Sequence, residues 1–131
     1  MAAIPDNYAD LLQKKALASF STLMPDDSPQ VTPVWFDSEG GELWVNTALG
    51  RQKHRNVERD PRVALAVVDP DNPYRYMEIR GRVREITTDG ADAHIDKMAQ
   101  KYLGQQRYPW RRQGEQRVLL KIALERVNGI G

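Results

Sequence analysis

Arg51, Lys53, Arg55, Arg59 and Arg62 crowd one short segment, opposed there only by Glu58 and Asp60, in a chain whose formal net charge is just +1. Basic residues in that density are the chemistry of anion binding. They follow Gly50, where an apolar strand pattern gives way through a turn to a short helix pattern. A helix start presents unpaired N–H groups and the positive end of the helix dipole, so an anionic group docked there gains hydrogen bonds that basic side chains reinforce. Each such charge-assisted bond is worth roughly 1.5–3 kcal/mol. The same spacing also admits a plainer arrangement. Arg51, Arg55 and Arg59 lie four apart and would form one solvated stripe balanced by Glu58. The segment by itself leaves both open.

A second cluster runs from Lys101 to Arg112, where Lys101, Arg107, Arg111 and Arg112 alternate with Tyr102, Tyr108 and Trp110 and no acid intervenes. Bases can stack on such a surface, a planar anionic cofactor can be walled by it, or the loop can simply be solvated over two tucked aromatics. A sequence pI near 8.0 argues against nucleic acid as the main partner. Other chemistries find little support. His54 and His94 are the only histidines, without carboxylates at metal-ligand spacing, so no metal site is expected. Ser19, Ser21, Ser28 and Ser38 lack a nucleophile elbow, and Asp69 and Asp71 flank Pro70 as turn formers. With no cysteine there is neither disulfide nor thiolate, and any redox chemistry needs a borrowed cofactor.

The elements that must position these residues are mostly strands. The 131 residues are expected to form one domain, 1–131, and 28% charged with 40% hydrophobic residues is an ordinary globular balance. No apolar run reaches membrane-spanning length and the opening residues lack a signal-peptide pattern, so a cytoplasmic protein is expected. Pro5 to Ala16 reads as a helix, with Tyr8, Leu11 and Leu12 at helical spacing. Strands are expected at 17–24, 29–36, 42–47, 63–68, 74–86 and 118–127, with turns at 25–28, 37–41 and 69–73. Pro33 inside the second strand demands an edge or a bulge. Val63 to Val68 is apolar on both faces, so either a helix or, as preferred here, a second subunit would cover the outer one. Gly81 marks a bend in the long strand. Thr88 or Asp89 should cap a helix ending at Gly104, with Ile95, Met98, Ala99 and Tyr102 buried.

Six strands and two inserted helices, joined largely by hairpin turns, predict a mainly β protein, a six-stranded antiparallel barrel with α-helices. A dinucleotide fold would alternate strand and helix and carry a Gly-x-Gly-x-x-Gly turn, and neither is present.

Four stretches, SPQVTPVWF at 28–36, NTALGRQKHRN at 46–56, RDPRV at 59–63 and DPDNPY at 69–74, resemble the pyridoxamine 5′-phosphate oxidase-like split-barrel family. More narrowly they are similar to its branch that uses the deazaflavin coenzyme F420. The resemblance implies an FMN-binding split-barrel fold, a homodimer with two cofactor sites at its interface, and F420H2-dependent reduction of an unsaturated small molecule by hydride transfer from C5 of the deazaflavin. It further implies that Arg51, Lys53 and Asn56 hold the cofactor phosphate, helped by Arg55. Gln30, Thr32, Pro33 and Val34 would line the ring, Asn46 the ribityl side, and Tyr74 would contribute across the dimer. Tyr76, Tyr108 or Trp110 would donate a proton or shape the acceptor pocket, and Arg59 or the 101–112 loop would meet the coenzyme's oligoglutamate tail. FMN is the alternative cofactor, since the same barrel binds it through a similar phosphate site, and a non-catalytic cofactor-binding protein is the alternative of another class. The sequence stops after its last expected strand, without the C-terminal extension associated with pyridoxal phosphate binding, so vitamin B6 oxidation is not expected.

Overall fold

The computed structural model describes residues 2–131. The strands are β1 Ala18–Leu23, β2 Pro29–Val34, β3 Asp37–Glu39, β4 Glu42–Ala48, β5 Arg62–Asp69, β6 Asn72–Thr87 and β7 Arg117–Ile130, with helices α1 Gln52–Arg59 and α2 Ala91–Leu103. All pairings are antiparallel, in the order β2-β1-β5-β6-β7-β4-β3.

This order forces the sheet to curl. Its two edges, β2 and β3, are consecutive in the chain and joined only by Trp35 and Phe36. Laid flat, the six steps between seven strands would separate those edges by roughly 29 Å at about 4.8 Å per step. The link from Val34 to Asp37 spans at most roughly 11 Å. The sheet therefore rolls until its edges meet at Trp35 and Phe36 without pairing, which is a split barrel. Phe36 is fully buried in the interior with Phe20, Leu43, Leu65, Met77, Ile79 and Leu120.

Several expectations are corrected in detail. The sheet has seven strands rather than six, because Asp37–Glu39, read as turn, pairs with β4. Its turn is only Gly40 and Gly41, both at positive φ (56° and 82°), the geometry of a tight hairpin turn that glycine alone adopts freely. The N-terminal helix is a 3-10 helix restricted to Asp6–Leu12. At three residues per turn Tyr8 and Leu11 share the buried face, and Asp6, Asn7 and Asp10 are poor α-helix formers. Gly90, in the left-handed conformation, precedes α2 where Thr88 or Asp89 was expected to cap. Strand β5 alternates: Val63, Leu65 and Val67 are buried, while the outward Ala64 and Ala66 are half-buried and Val68 is exposed.

Other expectations hold. Pro33 sits on edge strand β2, in unbroken register opposite Ser19, so its missing N–H costs no ladder bond on the free side. The register shifts at Gly81, where an added Cβ would strike the carbonyl of Ala123. Gly104 closes α2 in the left-handed conformation. Among the described residues no helix is long and apolar enough to cross a membrane.

Candidate functional site

A cavity of about 390 Å³ opens where the barrel seam meets α1, α2 and the loop before β7. Its floor is Pro33, Val34 and Trp35 of β2 and the seam, with Asn46 and Thr47 of β4. Arg51 and Lys53 enter from the start of α1, and Arg117 from the start of β7. Leu17, Ile95, Met98 and Leu103 supply apolar wall, closed by Tyr108 and Trp110.

The basic end forms for local reasons. Gly50 at φ 87° turns the chain from β4 into α1, its N–H donating to Nδ1 of the buried His54 at 3.0 Å. No side chain caps the helix start and no acid lies in its first turn, so its positive end is left uncompensated. Lys53 is half-buried and takes part in no hydrogen bond or ion pair among the described residues. Burial first, then the charges of Arg51 and Arg117, push its ammonium below the usual lysine range. A half-buried cation ringed by cations is unfavourable until an anion arrives. Arg117 is buried and held on two sides, its Nε donating to Asn46 Oδ1 at 2.9 Å and its Nη1 to Glu115 Oε1 at 2.8 Å. Burial alone would raise the Glu115 carboxyl, but Arg117 and Arg51 bring it below its ordinary value, so it stays ionised.

The aromatic end is a packed cluster. Trp35 stacks on Tyr102 with centroids 5.2 Å apart, and Tyr108 and Trp110 each lie 6.0 Å from Trp35. The Arg117 guanidinium sits 5.1 Å from the Tyr108 ring centroid, coupling the two ends. The loop carrying Tyr108 and Trp110 is tied to α2 by Arg111, which bonds Asp92 (3.2 Å) and Asp96 (2.6 Å), and by the Tyr108 N–H to Asp96 (2.8 Å).

The sequence-derived candidates separate by position. Pro33, Val34, Asn46, Arg51, Lys53, Tyr108 and Trp110 converge on the cavity. Asn56 is fully buried and ties α1 to β1, donating to Thr22 Oγ1 (3.0 Å) and accepting from Gln52 (2.8 Å), while Thr22 in turn donates to Gln30 (3.4 Å). Arg55 is exposed and bonds Gln52. Thr32 lies on β2 with its buried hydroxyl unpartnered. Tyr74 and Tyr76 stand apart on β6, Tyr74 exposed and Tyr76 opposite Val68 and Ile130. Lys101 is occupied by the Leu12 carbonyl and the Phe36 and Tyr102 rings, and Arg59 by the Leu23 carbonyl. The sequence reading missed Arg117, Trp35 and Thr47 as cavity residues. Thr47 is buried and its hydroxyl, closed off from solvent, has no partner. Its signal was available in the NTALGR stretch; Arg117 carried none, being one arginine among many before a strand. Among the described residues no group of three or more His, Asp or Glu is placed to hold a metal.

A cavity with an aromatic wall and a half-buried, unpaired cation suits a planar ligand with an anionic arm. The comparisons with known proteins agree in kind. Residues 4–131 match the family model described as pyridoxamine 5′-phosphate oxidase. An F420H(2)-dependent biliverdin reductase of Mycobacterium tuberculosis (strain CDC 1551 / Oshkosh) is 30% identical over 129 residues, covering 96% of this chain and 88% of the relative. A solved F420 reductase superposes with a TM-score of 0.85 at 34% identity, covering 95% of this chain and 98% of its own. The conserved hypothetical protein Rv2991 from Mycobacterium tuberculosis shares the fold, with a TM-score of 0.74 at 23% identity over 98% of this chain and 85% of its own. From the match along nearly its whole length, the chain belongs to the pyridoxamine 5′-phosphate oxidase-like split-barrel family of oxidoreductases, on the side of its F420-dependent relatives.

Proposed function

We propose that this protein is an F420H2-dependent reductase of a planar, conjugated small molecule, with residues 1–131 forming one cofactor-binding domain that works as a homodimer. The observation that carries the reading is Lys53, half-buried, without an anionic partner and flanked by Arg51 and Arg117 at an uncapped helix start. Glu115 pairs with Arg51 and Arg117 but leaves Lys53 without an anion, and the phosphate of the cofactor would supply one. When bound, the reduced deazaflavin supplies a hydride equivalent. The protein binds, orients and shields.

Arg51, Lys53 and Arg117 hold the anionic arm, and Pro33, Val34 and Asn46 set the position of the ring. Trp35, Tyr108 and Trp110 form the wall against which a flat acceptor packs, excluding water from the reacting atoms. Val68, Tyr74 and Ile130, large and exposed near one another on β5, β6 and β7, offer the partner subunit an apolar surface. Biliverdin, the acceptor in the name of one relative, is a sensible first member of an acceptor screen.

Parallel fluorescence titrations with F420 and FMN test the reading, followed by turnover of reduced F420 against conjugated acceptors. Preferential F420 binding with acceptor-dependent oxidation is the expected result. Tight FMN binding instead transfers the protein to the flavin branch. Cofactor binding without turnover on any acceptor makes it a carrier.

A further inference from the structure

His94 is buried on α2, away from the cavity lining, yet it stands between two groups that leave its ring no freedom. Its Nε2 is 3.1 Å from Asp37 Oδ2, and its Nδ1 is 3.2 Å from Asn46 Nδ2. Burial alone would raise the Asp37 carboxyl, but His94 and Lys97 hold it at about 2, so Asp37 is an acceptor. The proton therefore sits on Nε2, and Nδ1 accepts from Asn46. The second hydrogen of Asn46 Nδ2 goes to the Ala91 carbonyl at 2.8 Å, which leaves Oδ1 turned toward Arg117 Nε at 2.9 Å. Every donor and acceptor in this line is spoken for.

We infer that His94 is a positioning residue: in its neutral form it fixes the Asn46 amide with Oδ1 facing Arg117, and so holds both cavity side chains in their ligand-binding arrangement. A proton added at Nδ1 breaks the line. The ring then presents N–H to the Asn46 NH2, and flipping the amide to relieve this would face NH2 to the Arg117 Nε–H and oxygen to the Ala91 carbonyl. The first pushes Asn46 away from the ring and loosens its hold on Arg117, and the second sets two donors against each other, leaving Arg117 to Glu115 and the Tyr108 ring. The groups around the ring are Asp37 on β3 with Lys97 of α2 bonded to the same oxygen at 3.0 Å, Glu39 behind Lys97, the Trp44 ring 5.7 Å away on β4, and Arg117 of β7 beyond Asn46. Simple charge would predict tighter anion binding as His94 gains a proton. Positioning predicts the reverse.

The affinity arm of the test rests on the cofactor reading above. F420 affinity, or FMN affinity if FMN is preferred, is measured from pH 8 to 5.5 in the intact protein and in His94→Asn and His94→Leu. Asparagine keeps an acceptor near the Nδ1 position and does not titrate. Relative to wild type, the His94→Asn protein should bind equally at pH 8 and increasingly better toward pH 5.5, a ratio in which every contribution common to the two proteins cancels. The leucine variant should be weaker on the order of tenfold throughout. A ratio that stays flat, or that reverses, overturns the inference. If neither cofactor binds, the cofactor reading fails and the inference is decided on the apoprotein. Nitrogen-15 NMR should then find the Nε2–H tautomer of His94 at pH 8 and the Asn46 side-chain amide moving as His94 titrates. An Nδ1–H tautomer, or an Asn46 amide indifferent to that titration, would sink it.

Discussion

Trp35 lies flat on Tyr102, the two planes within 5° of parallel, at the point where the unpaired edges of the barrel meet. The Tyr102 hydroxyl donates to the Ala16 carbonyl at 2.6 Å and accepts from the Phe36 N–H at 3.4 Å, so one side chain braces both the seam and the chain entering β1. Tyr102→Phe keeps the stack and loses the brace; urea unfolding should register a loss of about 1–2 kcal/mol. Trp35→Leu should lose about 0.5–1.5 kcal/mol of ring pairing besides the buried area, and weaken ligand binding as well.

Lys53→Met should separate binding from stability. Removing the unpaired ammonium should weaken a phosphate-bearing cofactor by about 1.5–3 kcal/mol in a fluorescence titration. Unliganded, the variant should unfold at the same or a higher urea concentration, because a cation with no anionic partner is gone. The folded pKa of Lys53 is lowered, so the protein binds fewer protons folded than unfolded between that value and 10.5, and wild-type stability should gain from this group as pH rises through that window. The gain should vanish in Lys53→Met.

At the other extreme of pH, four carboxyls are held near 2: Asp10 by Arg75, Asp60 by Arg62, Asp69 by the Asp71 N–H with Lys14 and Arg75, and Asp37 by His94 and Lys97 against its burial. Depressed carboxyl values stabilise the fold above about 3.8, and that contribution should disappear as pH falls toward 2. Asp69 is the buried hub that joins the 3-10 helix to the β5–β6 turn. Asp69→Asn should lower the urea midpoint at neutral pH and make the acid limb shallower.

Asp96→Ala should free the cavity loop while leaving the barrel intact. Both the Tyr108 N–H and Arg111 lose their shared anchor. Amide exchange should speed up across residues 105–116, and global stability should change by less than about 1 kcal/mol.

Gly81→Ala places a methyl against the Ala123 carbonyl and 3.1 Å from Ile122 Cγ2. A cost of about 1–3 kcal/mol in denaturant unfolding is expected, with no selective effect on ligand affinity.

What was legible in the sequence follows the physics of each element. The long strands showed alternation, and Gly104 and Gly81 acted where a helix end and a bend need a residue without a side chain. The basic segment was legible because charge density survives without knowledge of contacts. Strand β3 was hidden since Asp37, Ser38 and Glu39 have turn-forming preferences and pair only because the hairpin returns on Trp44, Leu43 and Glu42. Arg117 was hidden for a different reason: its role depends on β7 pairing with β4, Thr47 opposite Val118 and Ala48 opposite Arg117, across some seventy residues of chain. Asn56 carried the opposite trap, a polar residue in a basic motif whose side chain serves the packing of α1 on β1.

The same long-range pairing sets a condition on biosynthesis. Strand β7 lies between β6 and β4 and is made after both. A nascent chain emerges N-terminus first, so until Arg117–Ile130 appears both β4 and β6 have an open edge, and open edges invite pairing with other chains. The ligand pocket lacks Arg117 over that same interval. A chain stalled or clipped before Arg117 thus has two open strand edges and an unfinished cavity at once, and a ligand of that cavity should rescue only chains that include β7.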